Sequence, residues 1–96
     1  MGMKQKIMIV DDAEINRQIL MAILGDKYEY VQAENGCQAV HMLQHDLTID
    51  LILLDINMPE MNGFQMLERM NKFHWIDEIP VIMISSEEKR DIIIPR

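Results

Sequence analysis

The chain has 96 residues with 49% hydrophobic content, a single cysteine and a formal net charge of −7. That length allows one modest domain, and the negative charge argues against nucleic acid, whose phosphates attract the opposite sign. No apolar stretch approaches the about 20 residues of a membrane span, and the N-terminal "MGMKQKIMIVDD" has neither a signal-peptide core nor the Ser or Thr of a myristoylation start, Lys6 standing there instead. With Cys37 alone there is no intramolecular disulfide, so the expectation is a soluble cytoplasmic domain.

Along the chain, apolar runs alternate with helical patterns. "KIMIVDD", Lys6–Asp12, reads as a strand that stops in acid. After it, Ile15, Ile19, Ala22 and Ile23 recur on one expected inward face of a helix that Gly25 closes. "YEYVQAEN", Tyr28–Asn35, is weaker and more alternating, as an outer strand would be. Asn35 can cap a second helix, with Gln38 at its third position and Ala39, Val40, Met42 and Leu43 inward. "DLILLD", Asp50–Asp55, is a continuous buried strand, and Asn62 can cap a third helix carrying Phe64, Leu67 and Met70, with Met66 nearby. "IPVIMISS", Ile79–Ser86, is the fourth strand, and Glu87–Asp91 reads as a solvated turn or helix start.

Helices between apolar strands imply a parallel sheet covered on both faces, because parallel strands need crossovers. Parallel strands end on one edge, so Asp11, Asp12, Asp55 and Ser85 should cluster there. If the strand order reverses between the first and third strands, that edge holds the crevice where open α/β sheets bind ligands. Three carboxylates in one crevice repel, which a retained proton or a bound cation relieves. Oxygen ligands without His or Cys suit Mg²⁺ or Mn²⁺. A carboxylate there can serve as nucleophile toward phosphorus, and Ser85 can donate to a phosphoryl oxygen. Taken singly, Asp55 could be a turn-former and Asp12 a helix cap; the set at matching strand ends favours the functional reading. His41, His45 and His74 read as solvated helix residues, the methionines and Trp75 as packing, and Cys37 as structural.

"IMIVDDAEINRQIL", "LILLDINMPEMNGFQML" and "VIMISS" resemble the receiver domain of two-component response regulators over nearly the whole chain. The resemblance implies a flavodoxin-like doubly wound α/β fold with strand order 2-1-3-4. Residues 1–96 would form one receiver domain, ending before the family's fifth strand, its lysine and its fifth helix. It implies that Asp55 accepts a phosphoryl group from a sensor histidine kinase and that Mg²⁺ (or Mn²⁺) sits at Asp11, Asp12, Asp55 and the Asn57 carbonyl. Ser85 would be the switch hydroxyl, Pro59 and Gly63 would shape the loop before the third helix, and Asn57 and Glu87 would tune phosphate lifetime. Such a module is not an enzyme in its own right. The alternatives are a phosphorylation-independent interaction domain and a Mg²⁺-dependent aspartyl-phosphate phosphatase, although the latter wants D-x-D after the first strand. No nucleic-acid or membrane partner is expected. A homo-oligomer is expected through the C-terminal edge, where "VIMIS" and Ile92–Ile94 would bury each other across chains.

Overall fold

Two runs too apolar to face water on either side, Ile7–Val10 and Leu51–Leu54, become the central strands of a four-stranded sheet. The structure, a computed structural model, describes residues 4–46, 48–56, 62–74 and 78–84. Its elements are β1 (Lys6–Val10), α1 (Glu14–Leu24), β2 (Glu29–Ala33), α2 (Gly36–His45), β3 (Leu51–Asp55), α3 (Gly63–Lys72) and β4 (Val81–Ile84). All strand pairs are parallel, in the order β2-β1-β3-β4, the order that the alternation and the weak second strand imply.

Alternate residues of the central strands serve two cores. On one face, Met8, Val10, Ile52 and Leu54 pack with Ala39, Val40 and Leu43 of α2 and Met66 and Met70 of α3. On the other, Ile7, Ile9 and Leu53 meet Leu20, Met21 and Leu24 of α1. The unbranched methionines fill the space between helices and sheet, as expected of a side chain with several adaptable torsions. The caps read from sequence are in place: Asn35 accepts from the Gln38 backbone N–H, and Asn62 with Gln65 forms a reciprocal capping box.

Two inward faces differ from the sequence reading. Ile15, Ile19 and Ile23 of α1 are exposed by 66%, 45% and 72%, and the inward stripe is instead Arg17, Leu20, Met21 and Leu24. The helix carries apolar residues on two adjacent stripes, and spacing alone does not say which one meets the sheet. In α3, Phe64 points outward while Met66 and Met70 are fully buried and Leu67 partly so. His74 lies beyond α3 in a left-handed conformation (φ 64°), not within a helix. Among the described residues, no helix is long and apolar enough to cross a membrane.

The amino edge of the sheet is tied by polar contacts. The Lys6 ammonium donates to Thr48 Oγ1 at 2.9 Å and to Asp46 Oδ2 at 3.2 Å, and the Lys6 backbone N–H donates to Asp50 Oδ2 at 2.8 Å. Asp46 also accepts from the Thr48 hydroxyl and backbone N–H. These bonds, first the hydroxyl of Thr48, then its N–H and the Lys6 ammonium, lower the Asp46 carboxyl to about 2 from an ordinary value of 3.8. A carboxyl depressed in the folded state adds stability above its unfolded value and loses it as pH falls through the folded one. Asp46→Asn should therefore lower Tm at neutral pH, with the difference from the parent closing as pH drops from about 4 toward 2. Melting curves across that range check this; a difference unchanged by acid would show that charge is not what Asp46 contributes.

Candidate functional site

The register of the two central strands sets the site. Val10 pairs with Leu54, so Asp11, the next residue after β1, and Asp55, the last of β3, stand side by side at the carboxyl edge. Backbone bonds hold that level: the Asp11 N–H donates to Ala33 O at 3.1 Å, and the Ile56 N–H donates to Ile84 O at 3.0 Å. Asp11 and Asp55 are 1% and 2% exposed, whereas Asp12 is open to solvent. One carboxylate oxygen from each of Asp11, Asp12 and Asp55 lies within 4.8 Å of the others.

Burial of two acids side by side requires that their oxygens be occupied or their charge balanced. Asp11 Oδ1 accepts from the Ala13 N–H at 2.9 Å and from Asn16 Nδ2 at 3.4 Å. The N-cap of α1 is therefore Ala13, which has no side-chain cap, and Asp12 does not fill that role. Arg17 is buried on the inner side of α1; its Nη1 donates to the Asp11 carbonyl at 2.7 Å and its Nε to Gln32 Oε1 at 3.0 Å. One guanidinium thus locks the β1–α1 turn to β2 and sets a positive charge behind the acids. No buried side-chain oxygen or nitrogen among the described residues lacks a hydrogen-bond partner.

Gly63 closes the opposite wall. Its N–H donates to the Ile56 carbonyl at 3.0 Å, and a Cβ there would lie 2.9 Å from both the Asp55 carbonyl oxygen and Ile56 Cα. The start of α3 can lie this close to the end of β3 because that position has no side chain. Asn57, Pro59, Ser85, Glu87 and the Ile92–Ile94 segment lie outside the described residues, as does Trp75. The structure thus brings together Asp11, Asp12 and Asp55 of the expected set. Sequence reasoning missed Arg17 and Asn16; an arginine inside the apolar register of α1 was the available signal for the first.

Three oxygen donors at this separation, with no His or Cys among them, fit a hard divalent ion such as Mg²⁺. Asp55, the one of the three that ends a central strand, carries a carboxylate oxygen of the kind that can act as a nucleophile. A sequence model of the response regulator receiver domain matches residues 7–95. The chain belongs to that family. It is 34% identical over 82 residues to the rice (Oryza sativa) two-component response regulator ORR3, an alignment covering 84% of this chain and 63% of that protein. Receiver structures agree: the Vibrio cholerae chemotaxis protein CheY4 superposes with a TM-score of 0.75 at 30% identity, over 92% of this chain and 77% of that one. A receiver protein from Pseudomonas putida, at 21% identity, shares the fold with a TM-score of 0.78, over 97% of this chain and 80% of the other. The receiver chain spans 63% of the length of its rice relative.

The steric role of Gly63 is checkable. Gly63→Ala should destabilise the chain by about 1–3 kcal/mol, the usual cost of forcing atoms into a filled space. In amide NMR spectra the largest shifts should centre on Asp55 and Ile56. An alanine variant as stable as the parent, with shifts confined to α3, would contradict the close approach.

Proposed function

We propose that this receiver domain accepts a phosphoryl group on Asp55 from a sensor histidine kinase and works as a signalling module in the cytoplasm. The observation that carries the reading is the meeting of Asp11, Asp12 and Asp55 within 4.8 Å at the carboxyl edge, in a chain of the receiver family. An Asp55 oxygen attacks the phosphorus of the donor phosphohistidine. The P–N bond breaks, the imidazole leaves, and an aspartyl phosphate forms. Asp11 and Asp12, with Asp55 and the Asn57 carbonyl, would hold Mg²⁺, which when bound supplies the positive charge that lets phosphoryl oxygens approach a cluster of acids. Arg17 keeps the Asp11 backbone in place, and Gly63 keeps the Asp55 carbonyl close to the start of α3. Ser85 is assigned the hydroxyl that donates to the phosphoryl group.

The test is exposure to acetyl phosphate with Mg²⁺, read by intact mass. One phosphoryl group should be added to the parent, none to Asp55→Asn, and the usual one to Asp46→Asn, since Asp46 sits at the other edge of the sheet. Mg²⁺ titration should move amide signals around Asp11, Asp12 and Asp55. Modification surviving in Asp55→Asn, or an unmodified parent, would sink the assignment and favour a phosphorylation-independent interaction domain; steady turnover of acetyl phosphate would favour a phosphatase.

Self-association is the second part of the reading. Ile82, 51% exposed, is on the α1 side of the sheet because its partner Leu53 is, and Ile15, Ile19 and Ile23 of α1 are exposed as well. Exposed aliphatic surface of that kind favours burial against a second copy. Sedimentation at micromolar concentration should show dimers or larger species that Ile82→Lys weakens. A parent that sediments as an 11.3 kDa monomer would refute it.

A further inference from the structure

α2 presents a second set of metal-ligating side chains, remote from the acids. His41 and His45 are both exposed and stand one helical turn apart. Their rings meet edge to face, with centroids 4.8 Å apart and planes at 69°. Among the described residues neither imidazole makes a hydrogen bond or an ion pair, so a ligand competes only with solvent and with the contact between the two rings. The helix beneath them is fixed before any ion arrives: Ala39, Val40 and Leu43 are buried against the sheet, and Asn35 caps the first turn. His45 is the last residue of α2, where the negative end of the helix dipole favours a cation.

Two imidazoles at positions i and i+4 have the spacing with which one face of a helix chelates a single ion. Neutral ring nitrogens select Ni²⁺, Cu²⁺ and Zn²⁺, whereas Mg²⁺ prefers oxygen and keeps its water. We propose that His41 and His45 form a second cation site, specific for a divalent transition-metal ion and independent of the carboxylate site. Two ring nitrogens bind the ion and water completes its coordination. Cys37, one turn before His41, is not a third ligand: eight residues of helix rise about 12 Å, too far for one ion to bridge. The two sites differ in donor chemistry and in position, since α2 starts near the carboxyl edge and ends near the amino edge with Asp46 and Lys6.

The experiment titrates Ni²⁺ into the whole chain in the presence of excess Mg²⁺, followed by amide NMR and calorimetry. One Ni²⁺ should bind, with paramagnetic broadening centred on His41 and His45 and a rise in Tm. The broadening and the Tm rise should vanish in His41→Gln and in His45→Gln, both of which keep the parent's helical circular dichroism, and should persist in His74→Gln and Asp12→Asn. Cu²⁺ should bind more tightly than Ni²⁺. Binding that survives His45→Gln but is lost in Cys37→Ser would overturn the proposal, as would binding lost in Asp12→Asn, displacement by Mg²⁺, or no binding at all.

Discussion

Everything at the carboxyl edge depends on one pairing, that of β1 with β3. Because Val10 sits opposite Leu54, Asp11 just after β1 and Asp55 at the end of β3 emerge at the same height. A one-residue slip would turn the side chains of β3 to the other face and take Asp55 out of the crevice. The slip is opposed from both sides: Met8, Val10, Ile52 and Leu54 are committed to the core under α2 and α3, and Ile7, Ile9 and Leu53 to the core under α1. The hydrophobic cores thus act as the alignment device for two buried acids. Their burial is a consequence of strand register, not of any attraction between them.

The strands and their order were legible because a central parallel strand has a distinctive composition. Ile7–Val10 of "KIMIV" and Leu51–Leu54 of "LILLD" are apolar at every position before their acids, which only a sheet covered on both faces requires. "EYVQA" alternates, and it is an edge strand. The acids at the strand ends followed at once, since parallel strands share an edge. The two asparagine caps were legible for a local reason: side chain and N–H lie three residues apart in sequence, so no tertiary information is needed.

The inward face of α1 was not legible, and Arg17 explains why. A helix with apolar residues at 15, 19 and 23 and again at 20, 21 and 24 offers two seams of similar hydrophobicity. Hydropathy disfavours the seam containing an arginine. In the structure that seam is the buried one, because the aliphatic stem of Arg17 packs inward while its guanidinium finds two acceptors, the Asp11 carbonyl and Gln32. The deciding contacts join residues on α1, β2 and the β1–α1 turn, so they exist only once the sheet has formed. The closeness of Gly63 to Asp55 is of the same kind. Its lack of a side chain is visible in sequence, but the backbone it faces is not.

The cations show how a parallel sheet sorts charge between its two edges. Lys6 opens β1 and therefore lies at the amino edge, where Asp46 and Thr48 hold its ammonium. Lys4 donates to the Asp26 carbonyl beyond the end of α1, and Lys72 ends α3, whose first residue is at the carboxyl edge. Lys27 follows the same end of α1 as Asp26. Each described lysine is thus separated from Asp55 by the length of a strand or a helix. Arg17 is on the acids' side, and two of its nitrogens are directed at a carbonyl and an amide oxygen. Its charge therefore sits behind the acids, on the side of α1 and β2, while Asp12 of the three is exposed. An arginine behind the turn steadies the Asp11 backbone.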